Sequence, residues 1–173
     1  MKPQTVSLRL TVNGDPVEAE VSPSMHLVDF LRERLDLTGS HLGCEHGVCG
    51  ACSVMVDNTL VRGCLMLACQ AQDKEVRTIE GISDSGDLKE LQQAFLQHNA
   101  LQCGFCTPGM LLTALDLVRN HPDASREEIR DYISGNYCRC TGYQAIVNAV
   151  ESVLTARKNG ATGGAAPATS AMS

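Results

Sequence analysis

Val6, Leu8, Leu10 and Val12 alternate with polar neighbours, and Val17, Ala19 and Val21 alternate again after Asn13-Gly14-Asp15-Pro16. Apolar residues at every second position put one face of a strand in a core and the other in water, so the chain should open with a β-hairpin. Leu27, Phe30, Leu31 and Leu35 then recur at helical spacing, with Ser24 placed to cap the helix and Leu37-Thr38-Gly39 to end it. Further strands are predicted over 53–57 and 59–62, flanking Asp57-Asn58, and over 75–79. Hairpin, helix and further strands make an α+β unit that ends near residue 80.

Beyond residue 86 the apolar period changes. Leu88, Leu91, Phe95 and Leu96 fall on one helical face. Thr107 is placed to cap a second helix, with Pro108 in its first turn, running through Met110, Leu111, Leu115 and Val118 to Asn120 and stopping at His121-Pro122. Ser125 and Glu128 have the spacing of a capping box, opening a third helix that carries Ile129, Tyr132 and Ile133 and closes at Gly135. A fourth starts at Thr141 or Gly142 and continues through Ile146, Val147, Val150 and Leu154. Four helices of ordinary length imply a small bundle. These periods divide the chain into units at 1–83 and 84–158, joined near residues 84–86. A tail follows over 159–173, too poor in large apolar residues to pack and therefore expected to be flexible.

Eight of the nine cysteines fall into two groups of four, one in each unit. Cys44, Cys49, Cys52 and Cys64 read C-x4-C-x2-C followed by a fourth cysteine, the plant-type spacing for a [2Fe-2S] cluster. Glycines stand at 43, 47 and 50 within that loop. Without a Cβ, glycine lets the backbone wrap closely and turn N–H groups toward sulfur, which stabilises the charge an electron brings. Cys103, Cys106, Cys138 and Cys140 pair C-x2-C with a distant C-x-C. Four thiolates suit either a second [2Fe-2S] cluster or a structural zinc ion. The two pairs each lie just before a predicted helix, whose N-terminus offers unpaired N–H groups and partial positive charge to thiolates. Cys69 belongs to neither group and is expected to be a small buried hydrophobe. His41 and His46 flank the first loop, but with four cysteines at hand they are expected at its periphery or at the surface instead of as Rieske-type ligands.

Composition narrows the rest. Aromatic residues make up only 3% of the chain and Trp is absent, so the cores must be built from Leu, Val, Ile, Ala and Met, and small cores of this kind gain from a metal staple. A net charge of -6 argues against nucleic acid or an anionic membrane as partner, since both require a basic face. No 18-residue apolar run and no signal-like apolar segment occurs, and an odd cysteine count suits metal ligation better than disulfides, so a cytoplasmic protein is expected. Neither Gly-x-Gly-x-x-Gly nor Gly-x4-Gly-Lys is present, and no nucleophile and base stand out. The chain reads as an electron carrier without a substrate site of its own.

Three stretches are more specific: residues 43–52 (GCEHGVCGAC), 101–109 (LQCGFCTPG) and 135–143 (GNYCRCTGY). Through them, over 6–154, the chain resembles the iron-sulfur small subunit of molybdenum hydroxylases of the xanthine oxidase and carbon monoxide dehydrogenase type. The resemblance implies an N-terminal β-grasp [2Fe-2S] ferredoxin-like domain and a C-terminal all-α four-helix [2Fe-2S]-binding domain, with a cluster in each. It assigns Cys103, Cys106, Cys138 and Cys140 to a proximal cluster, nearest the molybdenum-pterin (molybdopterin) centre of a large subunit. Cys44, Cys49, Cys52 and Cys64 then hold a distal cluster, nearer the FAD of a medium subunit. Gln102 and Cys140 would approach the pterin. The implied function is to relay single electrons between those partners within a heterotrimer or a dimer of heterotrimers, whose substrate is read by the large subunit. A zinc-stapled adaptor module and a free-standing, diffusible two-cluster ferredoxin are the alternative readings.

Overall fold

The structure is a computed structural model that describes residues 4–162. Strands β1 (Val6–Val12) and β2 (Asp15–Val21) form the expected hairpin, with Val6 opposite Val21 and Val12 opposite Asp15. Asn13 and Gly14 make its two-residue turn at φ of 53° and 92°, the left-handed pair that a type I′ hairpin turn needs. Helix α1 (Leu27–Arg34) buries Leu27, Val28, Phe30 and Leu31. His26 stands at its N-cap, and Ser24, placed by sequence to cap it, is hydrogen-bonded to Ser22 instead, their hydroxyls 3.0 Å apart. Strands β3 (Ser53–Val56) and β4 (Thr59–Arg62) form a second hairpin around left-handed Asp57 and Asn58.

Strand β5 (Glu75–Arg77) completes a five-stranded sheet of order β2-β1-β5-β3-β4 in which β1 and β5 run parallel. The strand expected over 75–79 stops two residues early. The Thr78 N–H donates to Asn13 Oδ1 at 2.8 Å and its hydroxyl to Glu80 Oε2 at 2.6 Å, and helix α2 (Ile79–Asp84) starts there.

The helical half contains α3 (Lys89–Gln97), α4 (Thr107–Asn120), α5 (Arg126–Ile133) and α6 (Gln144–Thr162). The α+β fold with a helical C-terminal half is therefore the one expected, with α2 as an additional short helix. The capping box of α5 is present: the Ser125 N–H donates to Glu128 Oε2 at 2.7 Å, and the Glu128 N–H returns a bond to Ser125 Oγ at 3.3 Å. Thr107 is already helical, so the N-cap of α4 is Cys106. Leu96 is 68% exposed, and Ala94 is buried on the α3 face instead. Helix α6 begins at Gln144, two or three residues later than expected, because Gly142 and Tyr143 are left-handed at 65° and 69°. Of the expected tail, Asn159 to Thr162 continue α6, and 163–173 lie outside the described residues. Among the described residues no helix is long and apolar enough to cross a membrane.

Two apolar clusters meet at β3, all four of whose residues are buried. Successive strand side chains point to opposite faces. Val54 and Val56 accordingly join Leu8, Leu10, Phe30 and Leu31, while Met55 joins Leu112, Leu115 and Ile146. Ile82 of α2 also packs in the helical cluster, so that core takes in residues preceding the expected joint at 84–86. The close approach of α4 to this seam needs a glycine. A Cβ on Gly109 would lie 2.3 Å from the carbonyl oxygen of Gly50, a backbone atom that cannot rotate away. Gly109→Ala should cost about 1–3 kcal/mol of stability, as overpacking does, measured as a lowered midpoint in chemical denaturation.

Candidate metal centres

The first cysteine loop spans residues 39–52, between α1 and β3. Its entry is fastened from two sides: Arg32 Nη1 donates to the carbonyls of Thr38 (2.6 Å) and Ser40 (2.8 Å), and the Gly39 N–H donates to Glu80 Oε1 (2.8 Å). Within the loop Glu45, Gly47 and Gly50 adopt positive φ, curling the backbone around Cys44. The Cys49 N–H points at Cys44 Sγ at 3.4 Å. That N–H, joined by those of His46 and Val48, draws the Cys44 thiol down to about 6. Cys52 behaves oppositely, because burial pushes its thiol up to about 11 and the neighbouring Cys64 and Cys49 thiols add to the rise. Cys64 follows β4 and is buried beside Cys52, where the Gly63 N–H donates to the Cys52 carbonyl at 3.1 Å. A Cβ on Gly43 would stand 3.1 Å from Cys49 Sγ, crowding the space in front of that sulfur.

The second group gathers two loops that are 31 residues apart in sequence. Cys103 and Cys106 lie in the turn leading into α4, with Cys106 at its N-cap. Cys138 and Cys140 occupy the turn between α5 and α6, not the position immediately before a helix that the sequence suggested. Tyr143 ties this turn together. Its hydroxyl accepts from the Cys138 N–H at 2.8 Å and donates to the Asn136 carbonyl at 3.2 Å, while its N–H donates to Thr141 Oγ1 at 3.2 Å. The Thr141 hydroxyl donates in turn to Cys138 Sγ at 3.1 Å. Burial works to raise the Cys138 thiol, but that hydroxyl and the N–H groups of Thr141 and Cys140 outweigh it and leave the thiol below its ordinary value. Burial pushes Cys106 up to about 12, with Cys138 and Cys103 adding to the effect. Cys140 is raised by its hydrogen bond with Cys103, and both are exposed, as is Gln102 beside them.

Within each set the thiols act on one another: Cys49 and Cys64 on Cys52 in the first, Cys138 and Cys103 on both Cys106 and Cys140 in the second. Among the described residues no three or more His, Cys, Asp or Glu side chains converge as a single metal ion requires. Four thiols in each set supply the donors that a [2Fe-2S] centre or a zinc ion would take. The two histidines have other partners. His41 Nδ1 lies 2.8 Å from the Phe105 carbonyl oxygen with its ring stacked on Phe105 at 4.6 Å, and His46 Nδ1 is hydrogen-bonded to the Cys44 carbonyl. Cys69 sits apart on a 3-10 turn (Ala68–Ala71), half-buried instead of fully buried, its Sγ 3.8 Å from the Pro23 carbonyl.

A set of residues that carried no sequence signal of ligation joins the two loops. Asn136, 1% exposed, accepts from Arg62 Nη2 and Thr113 Oγ1, both at 3.1 Å, and donates to the Gly50 carbonyl at 3.4 Å. Arg62 Nη2 also donates to the Gly135 carbonyl at 2.9 Å. The next N–H along, that of Tyr137, donates to the Cys49 carbonyl at 2.8 Å. The only hint in the sequence was an asparagine two places before Cys138, in a position where a loop would ordinarily leave it solvated.

Comparison with known proteins agrees with this two-part arrangement. The 2Fe-2S iron-sulfur cluster binding domain family matches residues 10–74, and the [2Fe-2S] binding domain family matches residues 78–151. The caffeine dehydrogenase subunit gamma of Pseudomonas sp. (strain CBB1) is 53% identical over 149 residues, covering 84% of this chain and 89% of that one. The nicotine 6-hydroxylase small subunit of Paenarthrobacter nicotinovorans is 50% identical over 145 residues, covering 84% and 87%. Among solved structures, a chain of quinoline 2-oxidoreductase from Pseudomonas putida 86 superposes with a TM-score of 0.83 at 46% identity, over 91% of this chain and 98% of that one. The chain belongs to the family of [2Fe-2S] small subunits of molybdenum hydroxylases.

Proposed function

We propose that Cys44, Cys49, Cys52 and Cys64 hold the distal [2Fe-2S] centre of an electron-transfer subunit, and that Cys103, Cys106, Cys138 and Cys140 hold the proximal one. The match of a [2Fe-2S] domain family to each of the two segments that carry these cysteine sets supports this reading. When bound, each centre takes up and returns one electron at a time. The protein's own part is electrostatic. The N–H groups directed at Cys44 Sγ and the Thr141 hydroxyl on Cys138 Sγ favour the more negative state of their sulfurs, and so influence the potential at which each centre accepts charge.

Exposure of Cys103, Cys140 and Gln102 on one edge supports contact there with the large molybdenum-pterin subunit, with Gln102 and Cys140 approaching the pterin. Val48 on the first loop (42% exposed) and Leu65 next to Cys64 (61%) offer apolar surface near the distal ligands, which suits a second partner, the FAD subunit. The whole assembly is proposed as a heterotrimer or its dimer, working in the reducing cytoplasm where nine thiols stay free of disulfides. Relatives named for caffeine and nicotine, and a structural neighbour named for quinoline, point to a nitrogen heterocycle as the substrate of the complex. Those relatives do not favour a zinc-stapled adaptor or a free-standing ferredoxin.

Anaerobically purified protein should contain roughly four irons and four acid-labile sulfides per chain, two of each for every cluster. Stoichiometric zinc in place of iron would overturn the assignment of the second site. Cys49→Ser should remove one of two [2Fe-2S] EPR signals after dithionite reduction and leave the other, measured on protein whose circular dichroism matches the parent. Heterocycle-dependent dye reduction by the co-purified complex, absent with simple aldehydes, is the expected result for the substrate class.

A further inference from the structure

The turn between α5 and α6 places a side-chain hydroxyl on a cysteine sulfur, and one tyrosine holds that arrangement from two directions. Thr141 Oγ1 lies 3.1 Å from Cys138 Sγ and accepts from the Tyr143 N–H at 3.2 Å. A hydroxyl has one proton and two lone pairs. With a lone pair taken by the Tyr143 N–H, which can only donate, the proton is left to point at the sulfur. The Tyr143 hydroxyl accepts from the Cys138 N–H at 2.8 Å and donates to the Asn136 carbonyl at 3.2 Å. Asn136 is itself fixed, being 1% exposed and bonded to Arg62, Thr113 and Gly50. The tyrosine therefore ties both members of the Cys138–Thr141 pair to a buried anchor.

Tyr143 does this in a backbone conformation that bulky residues rarely adopt, at φ of 69° directly after Gly142 at 65°. Such a conformation persists only where its surroundings enforce it, and it collects at working sites. The ring packs against the helical core, and with the ring and α6 in place that φ decides where the Tyr143 N–H points.

We propose that Tyr143 is a positioning residue for the potential of the proximal centre, holding the Thr141 proton on Cys138 Sγ so that this centre accepts an electron more readily than it would without that bond. The inference deepens the proximal assignment above and rests on it. One electron from a reductant such as dithionite turns one ferric ion ferrous, and the added negative charge is shared by the ligand sulfurs; no proton is taken up and no bond breaks. A donor already aimed at a sulfur stabilises that charge without having to reorganise. On Cys44 the corresponding donor is the Cys49 main-chain N–H at 3.4 Å, whereas on Cys138 it is a side chain that substitution can remove.

The test titrates the purified full complex with dithionite and redox mediators, reading the midpoint of each [2Fe-2S] EPR signal separately. The proximal signal is the one that survives in Cys49→Ser. Thr141→Val removes the donor with little change of shape, and Thr141→Ser keeps it. At the parent midpoint the reduced-to-oxidised ratio of the proximal centre should fall on the order of tenfold in Thr141→Val, equivalent to about 59 mV for one electron, and hold near the parent value in Thr141→Ser. The distal midpoint should stay where it is in both. Tyr143→Phe keeps the ring and the N–H and removes only the anchoring hydroxyl. It should lower the same ratio by a smaller factor, and add nothing when combined with Thr141→Val, because it acts through Thr141. An unchanged proximal midpoint in Thr141→Val or in Tyr143→Phe overturns the proposal, as does an additive fall in the double variant; where Thr141→Val does not assemble, Tyr143→Phe against the parent decides. A missing signal or iron well below four per chain in the parent complex counts against the two-cluster reading instead, and is read before any potential.

Discussion

Contact between two main chains governs how this molecule is put together: α4 packs against the first cysteine loop at Gly109 and Gly50, where neither residue has a side chain to keep the backbones apart. Because the Gly50 carbonyl lies against α4, it also receives bonds from the Ser53 hydroxyl (2.7 Å) and from Asn136 (3.4 Å), so the closest point of the seam is polar and satisfied. The apolar clusters on either side then share β3, which feeds Val54 and Val56 to one and Met55 to the other. A strand buried on both faces cannot shift toward one half without unpacking from the other. The two cysteine sets are consequently anchored to cores that share one strand.

The electrostatic problem is to gather anionic sulfurs in a chain that already carries a net charge of -6. The structure solves it locally. Backbone N–H groups serve Cys44, a threonine hydroxyl and further N–H groups serve Cys138, and Arg62, half-buried at the seam, neutralises carbonyl and amide oxygens instead of sulfur. At Cys52 and Cys106 burial outweighs the backbone N–H support, and their thiols are held high. Such sulfurs stay protonated until a metal displaces the proton, so assembly of each centre releases protons and its affinity for iron is coupled to pH.

Much of the fold was legible because its signals are short-range. Alternation marked both hairpins, Asn13-Gly14 and Asp57-Asn58 marked their turns, and the Ser125–Glu128 box marked the start of α5, each depending on residues a few positions apart. Where reading failed, a distant partner had intervened. Ser24 lost its capping role to Ser22 and a helix that starts at His26; β5 ended when Asn13, 65 residues away, took the Thr78 N–H; and Leu96 faced water because the α3 surface that packs is centred on Leu91 and Phe95. Asn136 was invisible as anything more than a polar loop residue, since its three partners lie at positions 50, 62 and 113.

By itself the sequence determined the chemistry available to the chain: which eight cysteines form two sets, which half is sheet and which is helix, and where glycine frees the loop, all of it written in spacing and in period. Tertiary structure alone decided that Cys103 and Cys106 come to stand near Cys138 and Cys140, and how the two sets are joined through Cys49 and Tyr137. The reason is physical. Spacing along a chain constrains only what neighbouring backbone can reach, whereas pairings between residues 32 to 88 positions apart exist only after both cores have packed against a common strand.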